Sequence, residues 1–492
     1  VEMWFLAIPA VTACLCLFVP SPAWKHRINA LGGLLLPIAA MPLIAQVLRE
    51  GPQVRWGGHL YVDALSALLL MIIVLVGFCA ACFSLAYMER ERQAGIIDTA
   101  KLGRYYLWMH LFLLTMLAAA MVNNLGLLWV AIEATTLVSA LLVGFYGREA
   151  SIEAAWKYIL LCSVGIALAL LGLILLYFAA MQSGLMTLNW SELLPAAGRF
   201  DPELVKLAFI FVVIGFGTKA GFAPMHNWMP DAYSQAPSPI SALLSAVLIN
   251  CALVGVFRFH VLVVRAVPGD FASHLLLGFG IFSMVIAVPF VLLQHDIKRL
   301  LAYSSVEHVG LIVAAVGIGS PLALFGATWH LFNHALTKAA LFLIVGRLEQ
   351  QYKTRKIARI RGALARTPWL GAALLAGILA LAGAPPFGLF MSELTVVAAG
   401  LGAPKGWTGM ALLAPLLLAF TGMVYHVGKM VLGMPSLKWQ RSAAMVQATS
   451  GSPLEWIALL PLALVLMMGI MLPEVVREGL LQAAAVLGGA GR

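Results

Sequence analysis

Residues 215–239 read GFGTKAGFAPMHNWMPDAYSQAPSP, set between the apolar runs 207–214 (LAFIFVVI) and 240–257 (ISALLSAVLINCALVGVF). Lys219 stands inside hydrophobic sequence, and Gly221, Pro224 and Pro230 then interrupt it. Proline removes a backbone donor and clashes with the preceding turn, so a helix through this stretch must break near Pro224. In hydrocarbon, the carbonyls freed by a break are tolerated only where protein or a watery cavity surrounds them. The stretch therefore predicts a broken helix at membrane depth. A lysine beside such a break has water and partners within reach, which makes it a group able to load and release a proton. The plainer alternative is a lysine that snorkels to the headgroups.

The rest of the chain agrees with a membrane setting. Hydrophobic residues make up 62% and charged residues 11%, with mean hydropathy +0.96. Soluble domains carry roughly 25% charged residues. A crossing helix needs about 20 apolar residues. About fourteen segments qualify, near 3–20, 28–48, 61–88, 105–121, 123–146, 154–180, 204–228, 237–262, 272–293, 300–318, 321–346, 368–399, 406–433 and 454–473. The expected fold is an all-α polytopic membrane protein with short connections and no soluble domain. The first 20 residues lack a basic n-region and a clear cleavage site, so they read as a retained helix. Residues 473–492 read as a polar tail with about one and a half to two turns of helical pattern, followed by Gly/Ala.

A net charge of +10 suggests nucleic acid until the charges are sorted by loop. Lys25, Arg27, Arg90, Arg92, Lys101, Arg104, Arg148, Lys298, Arg299 and the run from Arg347 to Arg366 fall in odd-to-even connections. The opposite side holds mainly Arg49, Arg55, Arg199, Arg258 and Arg265. Positive loops face the cytoplasm, which predicts a multi-pass protein of a bacterial inner membrane with both termini periplasmic. The charge needs no nucleic-acid partner. Six cysteines are scattered through apolar spans, and the CxxC of Cys79 and Cys82 has no second pair nearby. They read as small packing residues rather than metal or redox groups.

An ionisable side chain at mid-helix costs about 2.5–3.5 kcal/mol on insertion scales, so each one is a functional candidate. Besides Lys219 there is Glu133, about ten residues into 123–146 (NNLGLLWVAIEATTLVSALLVGFY). In 326–346 (GATWHLFNHALTKAALFLIVG), His330, His334 and Lys338 recur every four residues along one helix face. HxxxH is also a metal spacing, but the glutamate of HExxH is missing, and a histidine–lysine row suits stepwise proton movement better. In 381–400 (LAGAPPFGLFMSELTVVAAG), Pro385 and Pro386 break the twelfth segment and Glu393 follows. Interrupted helices in corresponding positions are the signature of inverted repeats in transporters. The expected repeats are helices 4–8 and 9–13, with helices 7 and 12 broken. The corresponding division is 1–104 (helices 1–3), 105–262 (first repeat), 272–433 (second repeat) and 454–492 (helix 14 and tail). No phosphate-cradling loop, GxSxG or zinc-spaced Cys/His cluster is present, so no cofactor or metal is expected in this chain.

Two longer motifs carry a family resemblance. Residues 228–245 (WMPDAYSQAPSPISALLS) and 294–312 (QHDIKRLLAYSSVEHVGLI) resemble the antiporter-like, proton-translocating membrane subunits of respiratory complex I. The same family covers energy-converting [NiFe] hydrogenases and multisubunit cation/proton antiporters. Residues 240–253 (ISALLSAVLINCAL) are more similar to hydrogenase-4 component F and its formate-hydrogenlyase relatives. The resemblance spans roughly helices 4 to 13. It implies fourteen helices, two inverted five-helix repeats and a row of buried charges across the membrane. By position, Glu133 matches the acid of the fifth helix, Lys219 its lysine partner, His334 and Lys338 the polar positions of the eleventh, and Glu393 the terminal ionisable group of the twelfth.

The implied cycle has Glu133 holding a proton on Lys219 until the pair opens. The proton then passes by water and His330/His334 to Lys338 and leaves near Glu393. Many relatives have a titratable residue in the eighth helix, where this chain offers only Ser245 and Asn250. Both can hold water; neither titrates. His308 in the tenth helix is a further candidate. Some relatives also continue into a long amphipathic helix, and the short tail here sets the chain apart from that distal type. The implied partners are other membrane subunits, the lipid bilayer and a peripheral redox arm on the cytoplasmic side whose subunits carry iron–sulfur clusters and NiFe. The rival readings are a subunit of a cation/proton antiporter or inorganic-carbon uptake system, and a membrane scaffold without conduction.

Overall fold

The apolar segments fold as helices whose starts are set by short polar residues. The computed structural model describes residues 4–403, 406–434 and 453–489, so residues 1–3, 404–405 and 490–492 of the expected divisions lie outside the described residues. The principal helices begin with Trp4–Phe18 (α1), Pro22–Glu50 (α2), Ala64–Gln93 (α3), Thr99–Met121 (α4), Leu125–Val143 (α5), Glu149–Gln182 (α6), Trp190–Ala196 (α7), Pro202–Ala220 (α8) and Trp228–Gln235 (α9). They continue with Ser238–Ala266 (α10), Phe271–Leu292 (α11), Ile297–Ile318 (α12), Pro321–Tyr352 (α13), Pro368–Leu381 (α14), Gly388–Leu401 (α15), Trp407–Leu432 (α16), Pro453–Ile470 (α17) and Glu474–Leu487 (α18). Asp63, Asp98, Asn124, Asp201 and Asp296 cap α3, α4, α5, α8 and α12, each accepting from a first-turn backbone N–H.

Among the described residues, eleven helices are long and apolar enough to cross a membrane, with α8 and α9 counted together, and α1, α14 and α15 are shorter apolar helices. Helix α4 covers the expected segment 105–121 without being one of the eleven, because Arg104, Tyr105, Tyr106 and His110 dilute its hydropathy. The apolar stretches of α10 and α13 are buried throughout, whereas only 39% of those in α2, α6, α11 and α16 is buried. The first two are therefore the centre of the bundle, and the other four present faces to lipid. Backbones approach closely where side chains are small: Gly215 of α8 lies against Gly165 and Ala169 of α6, and Gly280 of α11 against Gly310 and Ala314 of α12.

Two features depart from the expected bundle with a plain tail. Gln53–Arg55 (β1) pairs antiparallel with Leu60–Val62 (β2), with Val54 opposite Tyr61, around a turn in which Gly57 and Gly58 have φ of 63° and 95°. The supposed tail holds α18, whose Leu480, Ala483, Ala484 and Leu487 are buried where it packs on α3 and α13. Their i, i+3, i+4, i+7 spacing makes one apolar stripe, which is the reason this polar segment docks as a helix.

The basic connections gather at one end of the bundle, tied by ion pairs. Asp231 holds Arg299 and Lys157, Glu349 holds Lys298 at 2.8 Å and Arg355 at 3.6 Å, and Glu455 holds Arg90 and Arg347. A polar cavity of about 180 Å³ opens there, lined by Glu91, Arg148, Lys298, Glu349 and Arg355 among others. Elsewhere, Arg258 of α10 is buried in a two-pronged pair with Asp63 and donates to Ser66 at 2.9 Å.

Helix α8 stops at Gly221, whose φ of +89° only glycine adopts easily, and the chain resumes with a 3-10 turn at Met225–Asn227 that leads into α9 at Trp228. A second interruption separates α14 from α15, with Gly383 at φ +73°. Each contains a cis peptide bond, Ala223–Pro224 and Pro385–Pro386.

Candidate functional site

Lys219 lies on the last turn of α8, fully buried. The groups freed by the interruption are satisfied by protein: Trp228 Nε1 donates to Thr218 O at 2.8 Å, Phe222 N to Gly217 O at 2.8 Å, and Ala223 N to Ser283 Oγ at 3.0 Å. The ammonium of Lys219 points back toward α5 and α6. It donates to Thr136 Oγ1 at 2.5 Å and to Tyr158 OH at 2.7 Å. Thr136 in turn donates to Glu133 Oε2 at 3.1 Å, and Ser163 donates to Glu133 Oε1 at 3.0 Å. Lys219 and Glu133 are thus brought together through one hydroxyl rather than as a direct ion pair. The direction of the bonds is fixed: an ammonium can only donate, so Thr136 accepts from Lys219 and passes its own proton toward the carboxylate. Tyr158 is held by Ser139 at 2.8 Å, and Ser139 donates to Thr135 O at 2.5 Å. Glu133 itself is only half-buried, because the outer face of α5 carries the exposed Val130 and Leu137.

The middle of the bundle is polar without being charged. Ser245 sits in a π-helical turn, Leu244–Leu248, inside α10, and its hydroxyl lies 2.9 Å from that of Ser305 on α12. Such turns re-aim side chains and are frequent at functional sites. Ser305 donates to Leu301 O at 3.2 Å, and the same carbonyl accepts from Lys338 Nζ at 2.5 Å. Ser245 is thereby connected to Lys338. Asn250 Nδ2 donates to Ala246 O at 2.8 Å, while its Oδ1 is buried without a partner among the described residues. The hydrogen bonds of Lys219 lead toward Glu133, not toward Ser245.

Beyond Lys338 lies a compact cluster from α12, α13 and α15. Lys338 Nζ also donates to Ser304 Oγ at 2.5 Å. His308 Nδ1 is 3.1 Å from His330 Nε2 and 3.9 Å from Glu393 Oε1. His330 Nδ1 meets Ser392 Oγ at 2.9 Å, and Ser392 donates to Leu389 O at 2.9 Å. The His334 ring packs 5.0 Å from that of His308, and both its nitrogens are buried without hydrogen bonds to the described residues. Glu307, adjacent to His308, places Oε2 3.7 Å from His308 Nε2. Glu393 packs against the second interruption: a side chain on Gly383 would collide with its carboxylate.

All nine residues singled out in the sequence fall in these three places: Glu133 and Lys219 in the first, Ser245 and Asn250 in the second, and His308, His330, His334, Lys338 and Glu393 in the third. Sequence reasoning missed Glu307, although a carboxylate in the apolar run 300–318 obeys the rule that found Glu133. It also missed Thr136, Tyr158, Ser163, Ser304, Ser305 and Ser392. Hydroxyls are ordinary in membrane helices and commonly bond their own preceding turn, so only the fold distinguishes those that face a charge.

Comparison with known proteins places the chain in a family. The sequence profile of the NADH:quinone oxidoreductase/Mrp antiporter transmembrane family matches residues 122–421, and that of the complex I chain 5 N-terminus matches residues 54–95. The chain is 42% identical over 344 residues to the hydrogenase-4 component F homolog of Methylacidiphilum infernorum, covering 69% of this chain and 72% of that protein. It is 32% identical over 347 residues to hydrogenase-4 component B of Escherichia coli K12, covering 68% of this chain and half of that protein. Its fold is similar to a chain of the membrane-bound sulfane sulfur reductase, an archaeal respiratory membrane complex, with TM-score 0.86, 22% identity and 99% of each chain covered. The matched span 122–421 contains every residue of the three polar clusters, and the chain belongs to the NADH:quinone oxidoreductase/Mrp antiporter family of transmembrane subunits.

Proposed function

We propose that this chain moves protons across the membrane as a non-redox subunit of a hydrogenase-4-like or complex I-like assembly. The observation that carries the reading is the bonded sequence Lys219–Thr136–Glu133, which starts at the buried lysine on the last turn of the interrupted helix and ends at a half-buried carboxyl on α5. A lysine held by two hydroxyls, one of them bonded to a carboxylate, has a defined acceptor for its proton and no solvent to lose it to. The second half supplies a matching store in Lys338, His334, His308, His330, Glu307 and Glu393, with Ser305 and Ser245 reaching back from it. Water completes the path between Lys219 and Ser245, where Asn250 Oδ1 offers an unused acceptor.

In the finer form of the reading, α8 with α9 and α14 with α15 each make one broken crossing, which gives fourteen crossings. Helices α4–α10 and α11–α16 are then the two inverted repeats, with α1–α3 before them and α17–α18 after. Each repeat has an ionisable residue beside its interruption, Lys219 or Glu393, and this supports the pairing. The basic end carrying the polar cavity faces the cytoplasm, both termini face the periplasm, and the membrane is a bacterial inner membrane. Neighbouring membrane subunits and a peripheral arm with iron–sulfur clusters and NiFe supply the driving reaction.

The test is to purify the intact complex and reconstitute it in proteoliposomes. The expected result is co-purification of iron–sulfur and NiFe proteins, with proton transfer independent of Na⁺. Membrane subunits alone, with a Na⁺-dependent gradient, would instead establish the cation/proton antiporter reading.

A further inference from the structure

We propose that His308, His330 and Glu393 form a binding site for a divalent transition metal of the zinc class, where the ion blocks the second polar cluster. One ligand atom from each residue lies within 4.8 Å of the other two. The individual separations are 3.1 Å from His308 Nδ1 to His330 Nε2 and 3.9 Å from His308 Nδ1 to Glu393 Oε1. Zinc bonds of about 2.0–2.1 Å in tetrahedral geometry put ligand atoms roughly 3.3 Å apart. The histidine pair already stands near that spacing, and the carboxylate must close from 3.9 Å toward His308 and from up to 4.8 Å toward His330.

The surrounding bonds aim the donors. Ser392 donates its proton to Leu389 O, so toward His330 it can only accept. His330 therefore carries its proton on Nδ1, and the Nε2 lone pair faces the cluster. An outer partner that fixes the tautomer of a histidine in this way is the usual companion of a metal ligand. On the other ring, Nε2 of His308 stands 3.7 Å from Glu307 Oε2, beyond hydrogen-bond distance, and neither atom has a hydrogen-bond partner among the described residues. Glu393 Oε1 is buried and makes no hydrogen bond among the described residues, yet it points at His308. Glu307 and Glu393 bring two carboxylates to the cluster, and the Lys338 ammonium is directed away to Leu301 O and Ser304.

This ligand set differs from the HxxxH spacing in the sequence. It draws on α12, α13 and α15, and leaves His334 outside. Three protein donors leave the fourth position open, which suits an exchangeable ion more than a closed structural centre. Binding itself stands apart from the proton reading. Only the consequence, that the ion stops proton transfer by occupying its carriers, rests on that reading.

The probe is Co²⁺, titrated into the purified complex carrying the untagged full chain and followed by visible absorption and by metal retained after gel filtration. The expected result is a single tetrahedral-type Co²⁺ site in this chain, displaced by Zn²⁺. Glu393→Gln and Ser392→Ala should each weaken it by at least about tenfold. His226→Ala, at a buried histidine of the other interruption, should leave it unchanged. Absence of the tetrahedral spectrum in the unaltered protein overturns the site whatever the variants do, and so does equal affinity in Glu393→Gln. If Co²⁺ and Zn²⁺ bind as expected but proton transfer continues at full rate, the metal site stands and the path through this cluster does not.

Discussion

Thr136 is the residue on which the first cluster depends. Its fully buried hydroxyl bridges an ammonium and a carboxylate that do not touch each other. Thr136→Val keeps the shape and removes the bridge. The expected outcome is a proton-transfer rate reduced by at least about tenfold, with the subunit still assembled, since one hydrogen bond to a charged group is worth about 1.5–3 kcal/mol. Native-gel assembly and proteoliposome acidification check both halves of that statement. Glu307→Gln is the companion prediction in the second cluster: it removes the titratable carboxyl beside His308 and slows transfer without altering fold. Lys219, Glu133 and Glu307 were all legible in the sequence in principle, because a charge within an apolar run declares itself. Thr136 and Tyr158 were not, because their roles exist only once α5, α6 and α8 pack together.

Among the helices, the two interruptions decide where charge can sit. At Gly221 the backbone is left-handed, and an added Cβ would meet the side chain of Met229 on α9. Gly221→Ala should therefore lower stability by more than about 1 kcal/mol, the size of a positive-φ penalty before any clash. Gly278→Ala, in α11 with open space around it, is the control and should be neutral or slightly stabilising. Thermal unfolding of the two variants in the same detergent measures the difference. The Gly/Pro run 221–230 revealed the first interruption from sequence because proline and glycine act locally. The π-helical turn in α10 left no such mark: residues 244–248 read as plain helix, and the turn packs against α3 and α13. The stripe in α18 was legible, but a segment of modest hydropathy beside long apolar runs is easily taken for a tail.

For the whole molecule, the positive loops were the part of the architecture most visible in the sequence, and their ion pairs do gather at one end. Sequence cannot say which charges pair, since Asp231, Glu349 and Glu455 come from distant parts of the chain. The proposed orientation has a direct check. A cysteine at Arg359, in a cysteine-free background, should react with an impermeant maleimide only from the cytoplasmic side, and one at Trp56 only from the periplasmic side. The central claim is that a proton leaves Lys219 under the control of Glu133. The measurement that tests it most directly is acidification by the reconstituted complex carrying Lys219→Ala or Glu133→Gln, compared with the unaltered complex at equal driving-reaction rate and equal subunit content. Both variants should lose proton transfer while remaining assembled, and normal acidification in both would contradict the account.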